Sequence, residues 1–233
     1  DAKKTIRICL FVFTIILNGI SSAGFAESPQ EHVRSKVSPG NTTYYIDPES
    51  GNNKNSGLTR DKAWQTFKHI NKLNLSPGDR VEITSAGSSD RTLRLSGAGT
   101  AESPVEVHFA PGRYDFHPEN AIRRKYHISN TNGDPDTPKA IGILFDKAKH
   151  INLSGPGADI VYRGKMIEVC IDGSENIKIS GLSFDYHRPS VSEFKVVKIT
   201  DDYVDLQIHK DSAYTVKDGK IVGERYASGF NRR

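Results

Sequence analysis

Apolar residues along this chain recur mostly at every second position, in short runs bounded by Gly, Pro, Asn or Asp. A period of two is the signature of strands, whose successive side chains point to opposite faces. The clearest stretch is Ile143 to Asp185. The run Ile143-Leu144-Phe145-Asp146-Lys147-Ala148-Lys149-His150-Ile151-Asn152-Leu153-Ser154-Gly155 returns at Val169, 26 residues on, as Val169-Cys170-Ile171-Asp172-Gly173-Ser174-Glu175-Asn176-Ile177-Lys178-Ile179-Ser180-Gly181. Asp146/Asp172, Ile151/Ile177, Ser154/Ser180 and Gly155/Gly181 are identical pairs. A repeat of this length is a unit that cannot bury its apolar face alone and stacks on a copy of itself. Short strands with sharp polar corners describe one turn of a parallel β-helix. A leucine-rich repeat, the main rival at this period, needs an L-x-x-L-x-L-x-x-N spacing that is absent.

The same alternation predicts strands over Thr42–Ile46, Arg80–Thr84, Thr92–Ser96 and Pro104–Phe109. Between the first two the period changes. Ala63, Trp64, Phe67 and Ile70 share a helical face, Asp61 can cap it, and Pro77-Gly78 stops the chain beyond Leu73. This predicts an amphipathic helix that closes the open end of the first coil, where bare strand edges need cover. Trp64 then reads as a cap anchor rather than a sugar platform. Residues 112–140 read as a long decorated loop, with Arg123-Arg124-Lys125 a solvated patch. After His187 the character changes again. Phe194–Thr200 and Tyr203–Ile208 flank Asp201-Asp202, and Thr215–Lys217 and Lys220–Val222 flank Asp218-Gly219, the strongest short hairpin signal. Antiparallel hairpins do not belong to a parallel coil, so residues from about 191 read as an inserted barrel or sandwich. The expected fold is all-β: a right-handed parallel β-helix with an N-terminal capping helix and an inserted antiparallel β module. The expected divisions are 1–26, a signal peptide; 27–41, a flexible lead; 42–190, the cap and first coils; and 191–233, the start of the inserted module.

Composition enters through the N-terminus and the charge. Lys3, Lys4 and Arg7 precede the apolar run Ile8–Leu17, which is short for a bilayer span, and Gly24-Phe25-Ala26 supplies small residues for cleavage after Ala26. An exported protein is expected, periplasmic, cell-surface or secreted, with no membrane span. Loss of that leader lowers the formal charge from +4 to +2, and the remaining basic residues are scattered, which gives nucleic-acid binding little support. Of the two cysteines only Cys170 lies outside the leader, at a strand position of the repeat, and it reads as a structural thiol. The chain opens on Asp1 and stops after a hairpin, which reads as part of a longer protein. In the loop Asp47–Gly57 the oxygens of Asp47, Glu49, Asn52, Asn53 and Asn55 can serve calcium or simply turns, and the spacing matches no EF-hand loop. Asp146 and Asp172 recur with the repeat and read as turn caps.

Two sets of residues carry a resemblance. Tyr44-Tyr45-Ile46-Asp47-Pro48, Gly57-Leu58-Thr59, Ala63-Trp64-Gln65-Thr66-Phe67 and Pro77-Gly78-Asp79-Arg80-Val81 resemble the opening of exported carbohydrate-active β-helix proteins. Ile179-Ser180-Gly181-Leu182-Ser183-Phe184-Asp185-Tyr186-His187-Arg188-Pro189-Ser190-Val191-Ser192-Glu193-Phe194 resembles the bacterial α-1,3-galactosidases of glycoside hydrolase family 110, which are far longer and carry β modules inserted into the helix. The resemblance implies release of terminal α-1,3-linked galactose from blood-group-B-type and linear Galα1,3Gal ends, with inversion and no cofactor. An inverting hydrolase needs an acid and a base carboxyl about 6.5–9.5 Å apart; the resemblance places those carboxyls beyond Arg233, and no metal ligand is expected.

Asp185, Arg188 and Glu193 are the candidate substrate-binding residues, because a carboxylate and a guanidinium at a coil exit offer charged, directional hydrogen bonds to sugar hydroxyls. The bland alternative has Asp185 and Arg188 bracing the junction, with Tyr186 and His187 covering it. Two other functions compete. A polysaccharide lyase needs a cation and a Lys or Arg base, for which no convincing set is present. A non-catalytic adhesin or glycan-binding module is expected to keep repeating, whereas this chain breaks into hairpins. Nothing in the pattern sets the oligomeric state.

Overall fold

The computed structural model describes residues 5–9, 36–126, 136–188, 194–208, 214–218 and 220–223. Most of the predicted leader and lead, part of the decorated loop, and Glu193 lie outside them. In chain order the strands are β1 (Thr5–Cys9), β2 (Lys36–Val37), β3 (Thr43–Ile46), β4 (Leu73–Asn74), β5 (Arg80–Ile83), β6 (Gly87–Ser89), β7 (Leu93–Leu95), β8 (Val105–Phe109) and β9 (Gly112–Phe116). They continue as β10 (Arg123–Arg124), β11 (Lys139–Asp146), β12 (Lys149–Tyr162), β13 (Met166–Asp172), β14 (Glu175–Tyr186), β15 (Phe194–Ile199), β16 (Tyr203–Ile208), β17 (Tyr214–Lys217) and β18 (Lys220–Gly223). The chain divides into two compact units, Glu27–His187 and a smaller one made of Asp1–Ala26 with Arg188–Arg233.

The larger unit is all-β and its sheets are parallel except at β10. One ladder runs β3–β5–β8–β12–β14, with β6 and β9 extending it alongside the second half of β12, so that the sheet curls. A second runs β7–β11–β13. The repeat seen in the sequence is the register of these ladders: Ile143 pairs with Val169, Asp146 with Asp172, and Ile151 with Ile177. Inward positions therefore stack into apolar columns, such as Tyr44–Val81–Val107–Leu153–Ile179 and Leu95–Phe145–Ile171. Val81, Val107, Leu153, Leu95 and Phe145 are fully buried, and each such side chain contributes about 1.5–3 kcal/mol of burial energy.

One correction to the repeat comes from its corner. From Ala158 onward the offset to the next strand falls to 24, as in Ala158–Leu182, after a register shift at Ser154. Pro156-Gly157 is the extra pair, with Gly157 at φ 80°. Further on, Gly142 faces the Tyr162 ring so closely that an added Cβ would lie 2.2 Å from Cε1.

The predicted capping helix over Asp61–Leu73 is not there. The segment holds two 3-10 turns, Arg60–Lys62 and Ile70–Lys72, with a bridge at Trp64 and then bends and a turn between them. Its apolar residues are buried as expected, including Ala63, Trp64, Phe67 and Ile70. The helix fails because its backbone groups are claimed elsewhere. Trp64 N–H donates to Tyr45 O and Trp64 O accepts from Asp47 N–H, while Asn53 Oδ1 accepts from the N–H groups of Gln65 and Thr66. Side-chain amides that bind nearby backbone compete directly with helix formation. Trp64 is stacked between Tyr44 and His69, at 5.6 and 5.0 Å, and its Nε1–H donates to Asn55 O. Gly57 lies against the ring, with φ 74° and no room for a Cβ.

In the smaller unit both predicted hairpins are present. β15 pairs antiparallel with β16, and β17 with β18, with Asp218 at φ 51° in the turn. On its other edge β16 pairs antiparallel with β1, from Thr5–Gln207 to Cys9–Tyr203.

Candidate functional site

Two outward-facing clusters in the larger unit carry charged side chains at the repeats. The first lies over β7, β11 and β13. Asp146 and Asp172 occupy the same place on neighbouring rungs, where two carboxylates would repel. Arg124 relieves this from β10: Nη2 donates to Asp146 Oδ2 at 2.8 Å and Nη1 to Asp172 Oδ2 at 2.8 Å. Arg94 on β7 donates through Nε to Asp146 Oδ2 at 2.8 Å, and Tyr126 Oη donates to Asp172. Burial opposes ionisation of Asp146, but the hydrogen bonds from Arg124 and Arg94 outweigh it and hold its carboxyl below the ordinary range. The Asp146 partner likewise raises the Arg124 guanidinium above its ordinary value. Burial pushes up the Tyr126 hydroxyl, and its bond to Asp172 adds to the rise.

This is an ion ladder, and it corrects the turn-cap reading of Asp146 and Asp172. It also corrects the reading of Arg123-Arg124-Lys125 as a solvated patch, since Arg124 is built into the ladder. A carboxylate held this firmly in its charged form is a poor proton donor. Cys170 lies beside it with its thiol pushed up by burial, which suits a structural thiol and not a nucleophile.

The second cluster surrounds the candidate Asp185, on the outward faces of β9, β12 and β14. Register places Arg113, Asp159 and Ser183 in one column and Asp115, Val161 and Asp185 in the next. Arg163 donates through Nε to Asp115 Oδ1 at 2.6 Å, and Arg113 donates to both Asp115 oxygens. Burial opposes ionisation of Asp115, yet Arg163 and then Arg113 hold its carboxyl below the ordinary range. Ser183 Oγ–H donates to Asp159 Oδ1. Asp185 is exposed at the end of β14, and its Oδ1 accepts from the N–H of Tyr186 at 2.7 Å. The arrangement offers charged and hydroxyl groups along an exposed sheet face, a surface able to hydrogen-bond hydroxylated ligands. Arg113, Asp115, Asp159 and Arg163 were missed in the sequence because the change of register at Pro156-Gly157 hides their alignment with Ser183 and Asp185.

Arg188 opens the smaller unit and is exposed, and Glu193 lies outside the described residues. Tyr186 serves packing: it is half-buried, 5.8 Å from the Tyr162 ring, and its hydroxyl donates to Met166 O. In the Asp47–Gly57 loop the oxygens serve turns. Asp47 Oδ1 accepts from the N–H groups of Glu49 and Ser50 and from Ser85 Oγ–H, and Asn52 Oδ1 accepts from Lys54 N–H. Among the described residues no three His, Cys, Asp or Glu side chains gather as a metal site, and no helix is long and apolar enough to cross a membrane.

No family model matches the chain. It is 37% identical over 221 residues to the α-1,3-galactosidase A of Akkermansia muciniphila, an alignment that takes in 94% of this chain and 36% of that protein. The chain belongs to the bacterial α-1,3-galactosidase family. The α-1,3-galactosidase A of Bacteroides fragilis is 34% identical over 125 residues, 52% of this chain and 21% of its own length. The α-1,3-galactosidase B of Phocaeicola vulgatus is 32% identical over 138 residues, 55% of this chain and 22% of its own length. The chain thus spans little more than a third of the galactosidase that it matches over most of its length. Among solved structures, the GH136 lacto-N-biosidase from Eubacterium ramulus superposes with a TM-score of 0.42 at 14% identity, over 62% of this chain and 34% of that one.

Proposed function

We propose that the protein is an exo-acting glycoside hydrolase that removes terminal α-1,3-linked galactose from glycans, blood-group-B-type and linear Galα1,3Gal ends alike, with inversion and without a cofactor. The observation that carries this reading is the 37% identity over 94% of the chain to a named α-1,3-galactosidase. In this reading the parallel ladders are coils of a right-handed β-helix, and the antiparallel hairpins belong to a module inserted into it. The acid and base carboxyls come from outside these 233 residues. Asp185, Arg188 and Glu193 each hold sugar hydroxyls rather than the reacting atoms. The protein is exported, and cleavage after Ala26 releases β1 from β16.

The test is incubation of the full-length protein with Galα1,3Gal disaccharide and, separately, with a uronate polymer. Free galactose, first seen as the β-anomer by proton NMR, is expected. An ultraviolet-absorbing unsaturated product from the polymer would make it a lyase, and no product from either substrate would leave a binding module. Residues 27–233 alone are expected to release no galactose. Asp185→Asn in the full-length enzyme is expected to raise KM with kcat nearly unchanged, since a binding role is uniform between ground and transition states.

A further inference from the structure

We propose that the outward face of β5, β8 and the first half of β12 is a second glycan-binding surface, separate from the reacting end, which takes an uncharged internal stretch of an oligosaccharide chain. The choice of a glycan as occupant rests on the hydrolase reading above; the surface itself rests on its own side chains.

Register sets the chemistry of this face. Val81, Val107 and Leu153 point inward and are fully buried, so every second residue of these strands faces out. One outward column runs Arg80–Glu106–Asn152–Lys178, and the next runs Glu82–His108–Ser154. Neighbouring members stand one rung, about 4.8 Å, apart, close to the advance of a glycan chain per sugar. Glu82, Glu106, His108 and Asn152 are half-buried rather than loose in solvent. Two of them are pinned. Asn152 Nδ2–H donates to Glu106 Oε1 at 2.8 Å, and His108 Nδ1 shares a hydrogen with Ser154 Oγ at 3.2 Å. Their other polar atoms are spare. Among the described residues nothing bonds Glu106 Oε2 or His108 Nε2, and Glu82 has only a 3.4 Å contact from Arg80. Groups already held in place with unused bonding capacity lose little freedom when a ligand arrives. The face is also open where another is closed. Parallel sheets are ordinarily covered on both sides, and Leu144 on the outward side of β11 is fully buried, whereas no outward residue of β5 or β8 is.

The charges select the occupant. Arg80 and Lys178 balance Glu82 and Glu106, which leaves the face without net charge when His108 is neutral. A polyanion, whether nucleic acid or a uronate polymer, would meet two carboxylates and no surplus of cations. An apolar partner would bury those carboxylates without hydrogen bonds, at high cost. Sugar hydroxyls both donate and accept. They therefore match carboxylates, an imidazole nitrogen and an amide set side by side, and His108 Nε2 serves them in either tautomer.

The experiment is calorimetric titration of the full-length protein with a poly-N-acetyllactosamine hexasaccharide that carries no α-galactose cap. This chain is neutral and has no α-galactose to release, so binding is read apart from hydrolysis. Saturable binding is expected, weakened at least fivefold by His108→Ala and at least threefold by Glu106→Gln, with both variants melting at the wild-type temperature. Absence of binding, or equal binding by the wild type and both variants, would overturn the proposal. Tighter binding of a uronate hexasaccharide would also overturn it, by making the face a polyanion site. Diethyl pyrocarbonate supplies a second readout, followed at His108 by peptide mass spectrometry. His108 is expected to react in the full-length protein, and the hexasaccharide to slow that reaction at least fivefold. A His108 that does not react without glycan means that another part of the chain covers the face, which rules the proposal out. A wild type that binds the hexasaccharide but releases no galactose from Galα1,3Gal would end the hydrolase reading and leave the surface standing.

Discussion

At the scale of single residues, charge placement matters more than charge count. Asp146 is 8% exposed and binds two guanidiniums. Because its folded carboxyl sits below the ordinary value near 3.8, ionisation favours the fold. That contribution is complete above the unfolded value and drains away as pH falls through the lower folded one. Asp146→Asn takes the carboxylate from Arg94 and leaves Arg124 with Asp172 alone, and is expected to cost about 2–3 kcal/mol at pH 7. The cost should shrink in acid, so urea denaturation at pH 7 and pH 2.5 checks it; an equal deficit at both would show that the ladder is not electrostatic. Gly142 is the opposite kind of constraint. A methyl group there meets the Tyr162 ring and the Glu168 carbonyl at 2.2 and 2.9 Å, and Gly142→Ala is expected to lower stability by about 1–3 kcal/mol through overpacking. Calorimetry gives the shift in Tm directly.

At the scale of elements, strands were legible and the cap was not. Alternation survives in β5, β7 and β8 because each has one face inside and one outside. Hairpins were legible because their turn residues act locally, as Asp218 does at φ 51°. Residues 61–73 misled because a helical spacing of apolar residues is necessary for a helix but does not supply its hydrogen bonds. Those were taken by Asn53, whose amide oxygen serves Gln65 N–H, Thr66 N–H and Thr66 Oγ–H. Asn53→Ala strands these donors in a partly buried loop, with an expected cost of about 1–3 kcal/mol. Chemical denaturation measures that cost, and far-UV circular dichroism should show no gain of helix. A helical gain would mean that the local propensity was restrained by Asn53 alone. The polar face around Asp185 was half legible for a related reason. Ser183 and Asp185 lie just past the repeated run, and their partners on β12 are displaced by the two-residue corner at Pro156-Gly157, which only three-dimensional register reveals.

At the scale of the whole molecule, stability should follow position in the parallel ladders, since each strand is buried by its neighbours rather than by itself. One inward column tests this with residues of similar size. Val107 and Leu153 are fully buried, and Ile179 is the partly covered last member. In the 233-residue chain, Leu153→Ala is expected to cost about 3 kcal/mol, the sum of lost transfer energy and the cavity left behind. Ile179→Ala should cost about 1 kcal/mol, because water already reaches that side chain. In the full-length protein the two costs should converge near the larger figure if another coil lies on β14. Urea midpoints of the two variants in both lengths decide it. A gradient in the short chain that disappears in the long one means that burial is supplied rung by rung. A cost at Ile179 that stays small in both lengths means that the stack ends at β14, and that any catalytic carboxyls must be carried by structure of another kind.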